Sequence, residues 1–144
     1  MIKAKKSLGQ NFLKDKNILE KITNLTNIED KVVLEIGPGT GNLTSFILKK
    51  NPKKVFVIEK DYELATNLKN KFQDELIIIN EDVLKVDETI IFKDKVTVFG
   101  NLPYNISTEI LSKWIINLKD FFWFESLVLM FQKEVADRII AESN

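Results

Sequence analysis

A chain of 144 residues with 44% hydrophobic side chains is one domain's worth of sequence and carries enough apolar mass for a core. Its charge is balanced, 21 basic against 21 acidic residues, so the composition as a whole does not announce a nucleic-acid binder. Cysteine and histidine are both absent, which excludes disulfides, thiolate or imidazole metal sites, cysteine nucleophiles and any Ser-His-Asp triad. Chemistry falls to carboxylates, amides, backbone groups, aromatics or a bound cofactor.

No apolar run approaches the roughly 20 residues needed to span a bilayer, and the start, Met1-Ile2-Lys3-Ala4-Lys5-Lys6, lacks the apolar region of a signal peptide. No membrane partner is expected, and the cytoplasm is the expected compartment. Lys3, Lys5, Lys6, Lys14 and Lys16 face a single acid, Asp15, in a basic N-terminal arm that suits phosphate contact or plain solvation equally. Arg138 is the only arginine, so positive charge is almost entirely lysine, the type for nonspecific rather than bidentate phosphate contact.

Asp15 is placed to cap a helix running to about Leu25, with Ile18, Leu19, Ile22 and Leu25 on one face. After a polar break, Val32 to Ile36 reads as a continuous apolar strand of the kind buried on both faces of a parallel sheet. Gly37-Pro38-Gly39-Thr40-Gly41 follows, and Leu43, Phe46 and Ile47 then take helical spacing up to Asn51-Pro52. Val55 to Ile58 is a second buried strand ended by Glu59, and Leu64, Leu68 and Phe72 mark the next helix. Leu76 to Ile79 makes a third strand closed by Asn80-Glu81-Asp82. Val96 to Phe99 is a fourth, running into Gly100-Asn101-Leu102-Pro103-Tyr104, after which Ser107 is positioned to cap a helix with Ile110, Leu111, Trp114, Ile115 and Leu118. Leu127 to Phe131 is a fifth, preceded by an aromatic run, Phe121 to Phe124, expected to pack in the core. Gln132-Lys133-Glu134 fits a channel border or a helix start, and Val135, Ile139 and Ile140 give the last helical stretch.

Strands alternating with helices predict an α/β domain with a doubly wound, mostly parallel sheet, whose ligands belong at the strand C-terminal ends. The polar residues just past the first four strands, Gly37 to Gly41, Glu59, Asp82 and Asn101, should therefore converge on one crevice.

The glycine loop departs from a dinucleotide fingerprint, because Asn42 stands where G-x-G-x-x-G requires its third glycine. Glu35, two residues before the first glycine, would repel a pyrophosphate and attract an ammonium or sulfonium centre. S-adenosyl-L-methionine carries both. Taken alone, the loop fits helix packing in any parallel α/β domain just as well. Glu59 is placed to accept from both ribose hydroxyls, and Asp82 to accept from the exocyclic amine of an adenine, or to cap a turn.

Asn101-Leu102-Pro103-Tyr104 is the sharper signal. The Asn101 amide oxygen and a backbone carbonyl at Leu102 or Pro103 can accept hydrogens from one substrate amino group. An adenine amine becomes nucleophilic only as its nitrogen moves toward tetrahedral geometry, which two such acceptors favour. Alkylation acidifies the nitrogen, so its proton can leave to water without a histidine base. Tyr104 is placed to stack on an extruded base.

Six segments resemble one family in the right order over essentially the whole chain: Lys6 to Leu13 (KSLGQNFL), Glu35 to Thr44 (EIGPGTGNLT), Val57 to Glu59, Glu81 to Leu84 (EDVL), Asn101 to Thr108 (NLPYNIST) and Phe131 to Arg138 (FQKEVADR). They are similar to the ribosomal RNA adenine N6-dimethyltransferases, most of all to the bacterial small-subunit type. The resemblance implies a Rossmann-like class I methyltransferase that dimethylates two adjacent adenines near the 3′ end of 16S rRNA in the small ribosomal subunit or its precursor. It implies cofactor contacts at Asn11, Leu13, Glu35, Gly37, Gly39, Glu59, Asp82, Val83 and Asn101, with Asn101, Leu102, Pro103 and Tyr104 serving the target base. Residues 1–30 would form the arm and first helix, and 31–144 the core. Family members continue beyond this point with two more strands and a small helical domain that engages RNA. A monomeric full-length protein, self-association of the present chain through its apolar fifth strand, and impaired catalysis without the later strands and helical domain are the corresponding expectations. The alternatives are the related large-subunit rRNA adenine methyltransferases and a non-catalytic nucleic-acid-binding factor of the same fold.

Overall fold

In the computed structural model, the described residues are 3, 13–102, 104–118 and 121–141. Thirteen elements follow in order, ten of which position the site or its supports. They are α1 (Lys16–Thr23), β1 (Val32–Ile36), α2 (Asn42–Leu48), β2 (Lys54–Ile58), α3 (Tyr62–Phe72), β3 (Leu76–Ile79), α4 (Glu88–Ile91), β4 (Val96–Asn101), α5 (Ser107–Ile116) and β5 (Phe124–Met130). A last helix, α6 (Lys133–Ile140), and 3-10 turns over Gln73–Glu75 and Val83–Lys85 complete the set.

The sheet has five strands in the order β3-β2-β1-β4-β5, and every pairing is parallel. β1 is central, where both faces are covered, which is why Val32 to Ile36 reads as an uninterrupted apolar run. Side chains alternate between two cores. Val33, Val55, Val57 and Phe99 pack with Leu19 and Ile22 of α1, Leu43 and Ile47 of α2, and Leu68 and Phe72 of α3. Leu34, Ile36, Ile58, Val96 and Val98 pack on the other face with Val83, Phe92, Ile110, Trp114 and Trp123. The crossovers after β1 and β2 thus use one face and those after β3 and β4 the other, so the winding direction switches between β1 and β4. Ligands of such sheets bind at that switch.

Local chemistry sets the element ends. Asp15 caps α1 by accepting from the N–H groups of Asn17 and Ile18. Asp61 does the same for α3 through Glu63 and Leu64. Four expectations need correction. α1 stops at Thr23, and Ile18 and Leu25 are exposed, because the helix packs through Leu19 and Ile22 alone. Ser107 is the first residue of α5 and makes no cap; Ile106 stands at the cap position, and the Ser107 hydroxyl donates to the Tyr104 carbonyl. Ile115 is exposed, since the buried stripe of α5 is Ser107, Ile110 and Trp114. The aromatic run divides: Trp123 is buried, stacked on Phe92 and edge-to-face with Trp114, whereas Phe121 and Phe122 are exposed. Gln132-Lys133-Glu134 is a helix start, that of α6. Among the described residues no helix is long and apolar enough to cross a membrane.

Candidate functional site

The loop after β1 is built by backbone geometry. Gly37, Gly39 and Gly41 have φ of 64°, 58° and 80°. At Gly41 the requirement is also steric, since a Cβ would stand 2.5 Å from Cε2 of Phe72. The glycine therefore lets α2 start directly against α3. At Gly37 a Cβ would lie 3.5 Å from the Asn101 carbonyl oxygen, so the loop after β1 and the end of β4 meet across the switch point. The ladder explains this: Ile36 pairs with Gly100, and Asn101 pairs with Met130 of β5.

A small concavity opens there. Its lining comprises Leu13, Glu35, Gly37 to Thr40, Asn42, Leu43, Asn101 and Met130. Asn42 Nδ2 donates to the Leu13 carbonyl at 2.8 Å, which fastens the segment before α1 to the first turn of α2. The residue that breaks the dinucleotide fingerprint is thus a tether.

Glu59 joins the site from β2. Its Oε2 accepts the Gly39 N–H at 3.2 Å and its Oε1 accepts the Asp61 N–H at 2.9 Å. Burial raises its pKa, against the backbone donors that oppose the rise. The Lys60 N–H is a third backbone donor to this carboxylate, which leaves it with about one further acceptor site. One strand farther out, Asp82 lies at the head of the 3-10 turn, with Oδ1 accepting the Leu84 N–H and Oδ2 paired with Lys60 Nζ at 2.8 Å. The Lys60 hydrogen bond holds its carboxyl below the usual range. Asp82 is therefore a turn cap and an anion at once. Asn80 Nδ2 donates to the Glu59 carbonyl at 2.8 Å and ties the ends of β2 and β3 together.

Glu35 differs from its expected state. It is 2% exposed, accepts the Thr44 hydroxyl at 2.6 Å, and is pushed up to about pH 8 by desolvation. It lies beneath the glycine loop as a carboxyl that is mostly neutral at pH 7, not as a standing anion. A cationic centre brought to the concavity would favour its ionisation.

The remaining predicted residues fall as follows. Leu13, Glu35, Gly37, Gly39 and Asn101 share the concavity. Glu59 reaches it through Gly39, while Asp82 lies one strand beyond. Val83 is buried in the second core, and Leu102 is buried beside Gly100. Tyr104 is 51% exposed and does not line the concavity. Asn11 and Pro103, and Lys5 and Lys6 of the basic arm, lie outside the described residues. Met130 was not anticipated, although the strand-end rule applied to the fifth strand leads to it. Lys60 and Lys113 were also missed, because nothing in their sequence neighbourhood distinguishes them from other surface lysines.

The residues fit S-adenosylmethionine. The loop backbone at Gly37 lies beside the Asn101 carbonyl, acidic side chains stand at the ends of β2 and β3, and a third carboxyl underlies the loop.

Comparison with known proteins bears on the same site. The family model for ribosomal RNA adenine dimethylase matches residues 1–144. Ribosomal RNA small subunit methyltransferase A of Pelagibacter ubique is 68% identical over 143 residues, covering 99% of this chain and 55% of the relative. The protein of the same name from Mycoplasmopsis synoviae is 50% identical over 146 residues, covering 98% and 53%. The chain thus spans about half the length of the curated relatives it matches. Among solved structures, a dimethyladenosine transferase from Plasmodium falciparum superposes with a TM-score of 0.77 at 34% identity, over 92% of this chain and 47% of that one. The 23S rRNA methyltransferase ErmE gives 0.74 at 26% identity, over 88% and 50%.

Proposed function

This chain belongs to the ribosomal RNA adenine dimethylase family, and from that premise we propose that it carries the cofactor pocket and the target-amine loop of an rRNA adenine N6-dimethyltransferase. The substrate in this reading is a pair of adjacent adenines near the 3′ end of 16S rRNA, in the small ribosomal subunit or its precursor, in the cytoplasm. The observation that carries it is the meeting of the glycine loop with Asn101 at the switch point, where a Cβ on Gly37 would touch the Asn101 carbonyl.

S-adenosylmethionine supplies a methyl group activated by a sulfonium. Glu59 would accept from the ribose hydroxyls beside its backbone donors. Asp82 would accept from the cofactor's adenine amine, and Glu35 would release its proton to water as the sulfonium charge came near. On the substrate side, the Asn101 amide oxygen and the carbonyl of Leu102 or Pro103 accept the two hydrogens of the target amine and hold its lone pair toward the methyl. Tyr104 stacks on the extruded base. The proton of the alkylated nitrogen passes to water, so the absence of histidine from the sequence is no obstacle. The N-terminal lysines contact phosphates, and Asn11 and Leu13 close the cofactor pocket.

We place the substrate on the small subunit because the 68% and 50% identical relatives carry that name, whereas the likeness to the 23S enzyme is at 26% identity. The whole protein acts as a monomer in this reading. The present chain by itself has weak activity and a tendency to pair through β5, an edge strand of partly buried aliphatic residues. The test is transfer of labelled methyl groups from S-adenosylmethionine to undermethylated small subunits and to large-subunit RNA, using a chimera of this chain with the remaining part of a full-length relative. Label on small-subunit adenines is the expected result. Label on large-subunit RNA alone would move the assignment to the second substrate, and cofactor binding without transfer would favour a non-catalytic RNA-binding factor.

A further inference from the structure

Lys113 points from α5 into the turn that follows β3. Its Nζ donates to the Val83 carbonyl at 2.7 Å, to the Val86 carbonyl, and to the Glu88 carboxylate at 2.9 and 3.0 Å. An ammonium has three protons, and all three are used here. Glu88 is buried, and its Oε1 also accepts the Trp114 indole N–H at 2.8 Å. The two carbonyls that Lys113 holds bracket the 3-10 turn whose first residue follows Asp82, and the Asp82 carboxylate in turn caps that turn through Leu84. The same helix begins at Ser107, whose hydroxyl donates to the Tyr104 carbonyl. One rigid element therefore touches the turn at Asp82 and the loop at Tyr104.

We infer that Lys113 is a positioning residue for adenine recognition: by clamping the 83–86 turn to α5, it fixes the direction of the Asp82 carboxylate and so sets the preference of the pocket for a 6-amino purine. The inference rests on the proposed reading of Asp82 as the acceptor for the cofactor's adenine amine. A surface ion pair does not account for the arrangement. Two of the three bonds go to backbone carbonyls of the turn, and the lysine side chain is only 17% exposed. A site that hydrogen-bonds an amine rejects the analogue lacking it, because the acceptor is left facing a carbonyl.

The experiment measures, by calorimetric titration of this chain, the affinity ratio between S-adenosylhomocysteine and S-inosylhomocysteine, which differ at the purine 6-position. Lys113→Met keeps the length and apolar contacts of the stem. It is expected to lower the ratio by about tenfold, the scale of one hydrogen bond to a charged acceptor, while Lys133→Met leaves it unchanged. A purely structural defect would weaken both ligands alike and leave the ratio intact. A folded Lys113→Met protein with the wild-type ratio overturns the inference. A wild-type protein that binds both ligands equally, or neither, overturns instead the reading of Asp82 on which it rests. Should Lys113→Met fail to fold, hydrogen exchange on the wild type decides: S-adenosylhomocysteine is expected to slow exchange in 107–116 as well as in 82–86, and protection confined to 82–86 overturns the clamp.

Discussion

The backbone N–H of Gly39 donates to Oε2 of Glu59 at 3.2 Å, joining strand ends that are twenty residues apart in the chain. The carboxylate thus shapes the loop as well as facing the pocket. Glu59→Ala is expected to lower S-adenosylmethionine affinity at least tenfold by calorimetry. It should also destabilise the fold by about 1–3 kcal/mol, since the Gly39 and Asp61 N–H groups lose their acceptor. Unchanged affinity would remove Glu59 from the pocket.

The glycines are not equivalent. Gly41→Ala forces a Cβ to within 2.5 Å of the Phe72 ring at a φ of 80°. Urea unfolding should report a loss of about 2–4 kcal/mol from strain and overpacking together. Gly37→Ala brings its Cβ no closer than 3.5 Å to the Asn101 carbonyl and costs only the strain of its positive φ, so about 1 kcal/mol is expected. Equal losses at the two positions would contradict the packing of α2 on α3.

The Glu35 carboxyl makes stability depend on pH in a defined direction. Its folded pKa, about 8, lies above the ordinary value of 4.5, so between these limits the native state binds more protons than the unfolded state. Stability from this residue is greatest at the acid end and falls as pH rises toward 8. Glu35→Gln removes the dependence. It is expected to raise the melting temperature relative to wild type at pH 8, by the equivalent of a few kcal/mol, and to leave it nearly unchanged near pH 5. A variant that is less stable at pH 8 than at pH 5, each relative to wild type, would contradict the assignment.

Asn101→Ala in the chimera with a full-length relative should separate binding from transfer. Loss of an acceptor aligned with the target amine is expected to reduce methyl transfer by about a hundredfold or more. Cofactor affinity, read by calorimetry, should fall much less, because Glu59 and Asp82 remain. A variant with weakened affinity and normal turnover would assign Asn101 to the cofactor alone.

The sheet was legible because parallel strands buried on both faces are written as unbroken apolar runs. The expected spans of β1 and β3 match the structure to the residue. β4 runs on through Gly100 and Asn101, which carry no apolar signal and are strand because Ile36 and Leu129 flank Gly100 and Met130 pairs with Asn101. β5 begins at Phe124, earlier than its aliphatic run. α4 and the 3-10 turns went unread: they are single turns fixed by Asp87, Asp82 and the chain's return path, too short for a period to emerge. The convergence of Gly37 and Asn101 followed from strand topology. The ionisation of Glu35 did not, since the same residue at the same spacing would be an anion if water reached it. The clamp from Lys113 to the 83–86 turn was equally invisible, because it depends on how α5 lies against a turn some thirty positions earlier.

The central position of β1 has a consequence for how the molecule comes into being. Its partner β4 lies far downstream, with Val33 opposite Thr97, so that ladder closes only after β2, α3 and β3 have been synthesised. Closing so long a loop is slow, and until it closes one flank of the central strand lacks its neighbour. Of the residues gathered at the switch point, Asn101 leaves the ribosome tunnel after all but Met130. A nascent chain arrested before that moment would hold half of a sheet and no binding site, so the pocket arises in a single late event and not by gradual accretion.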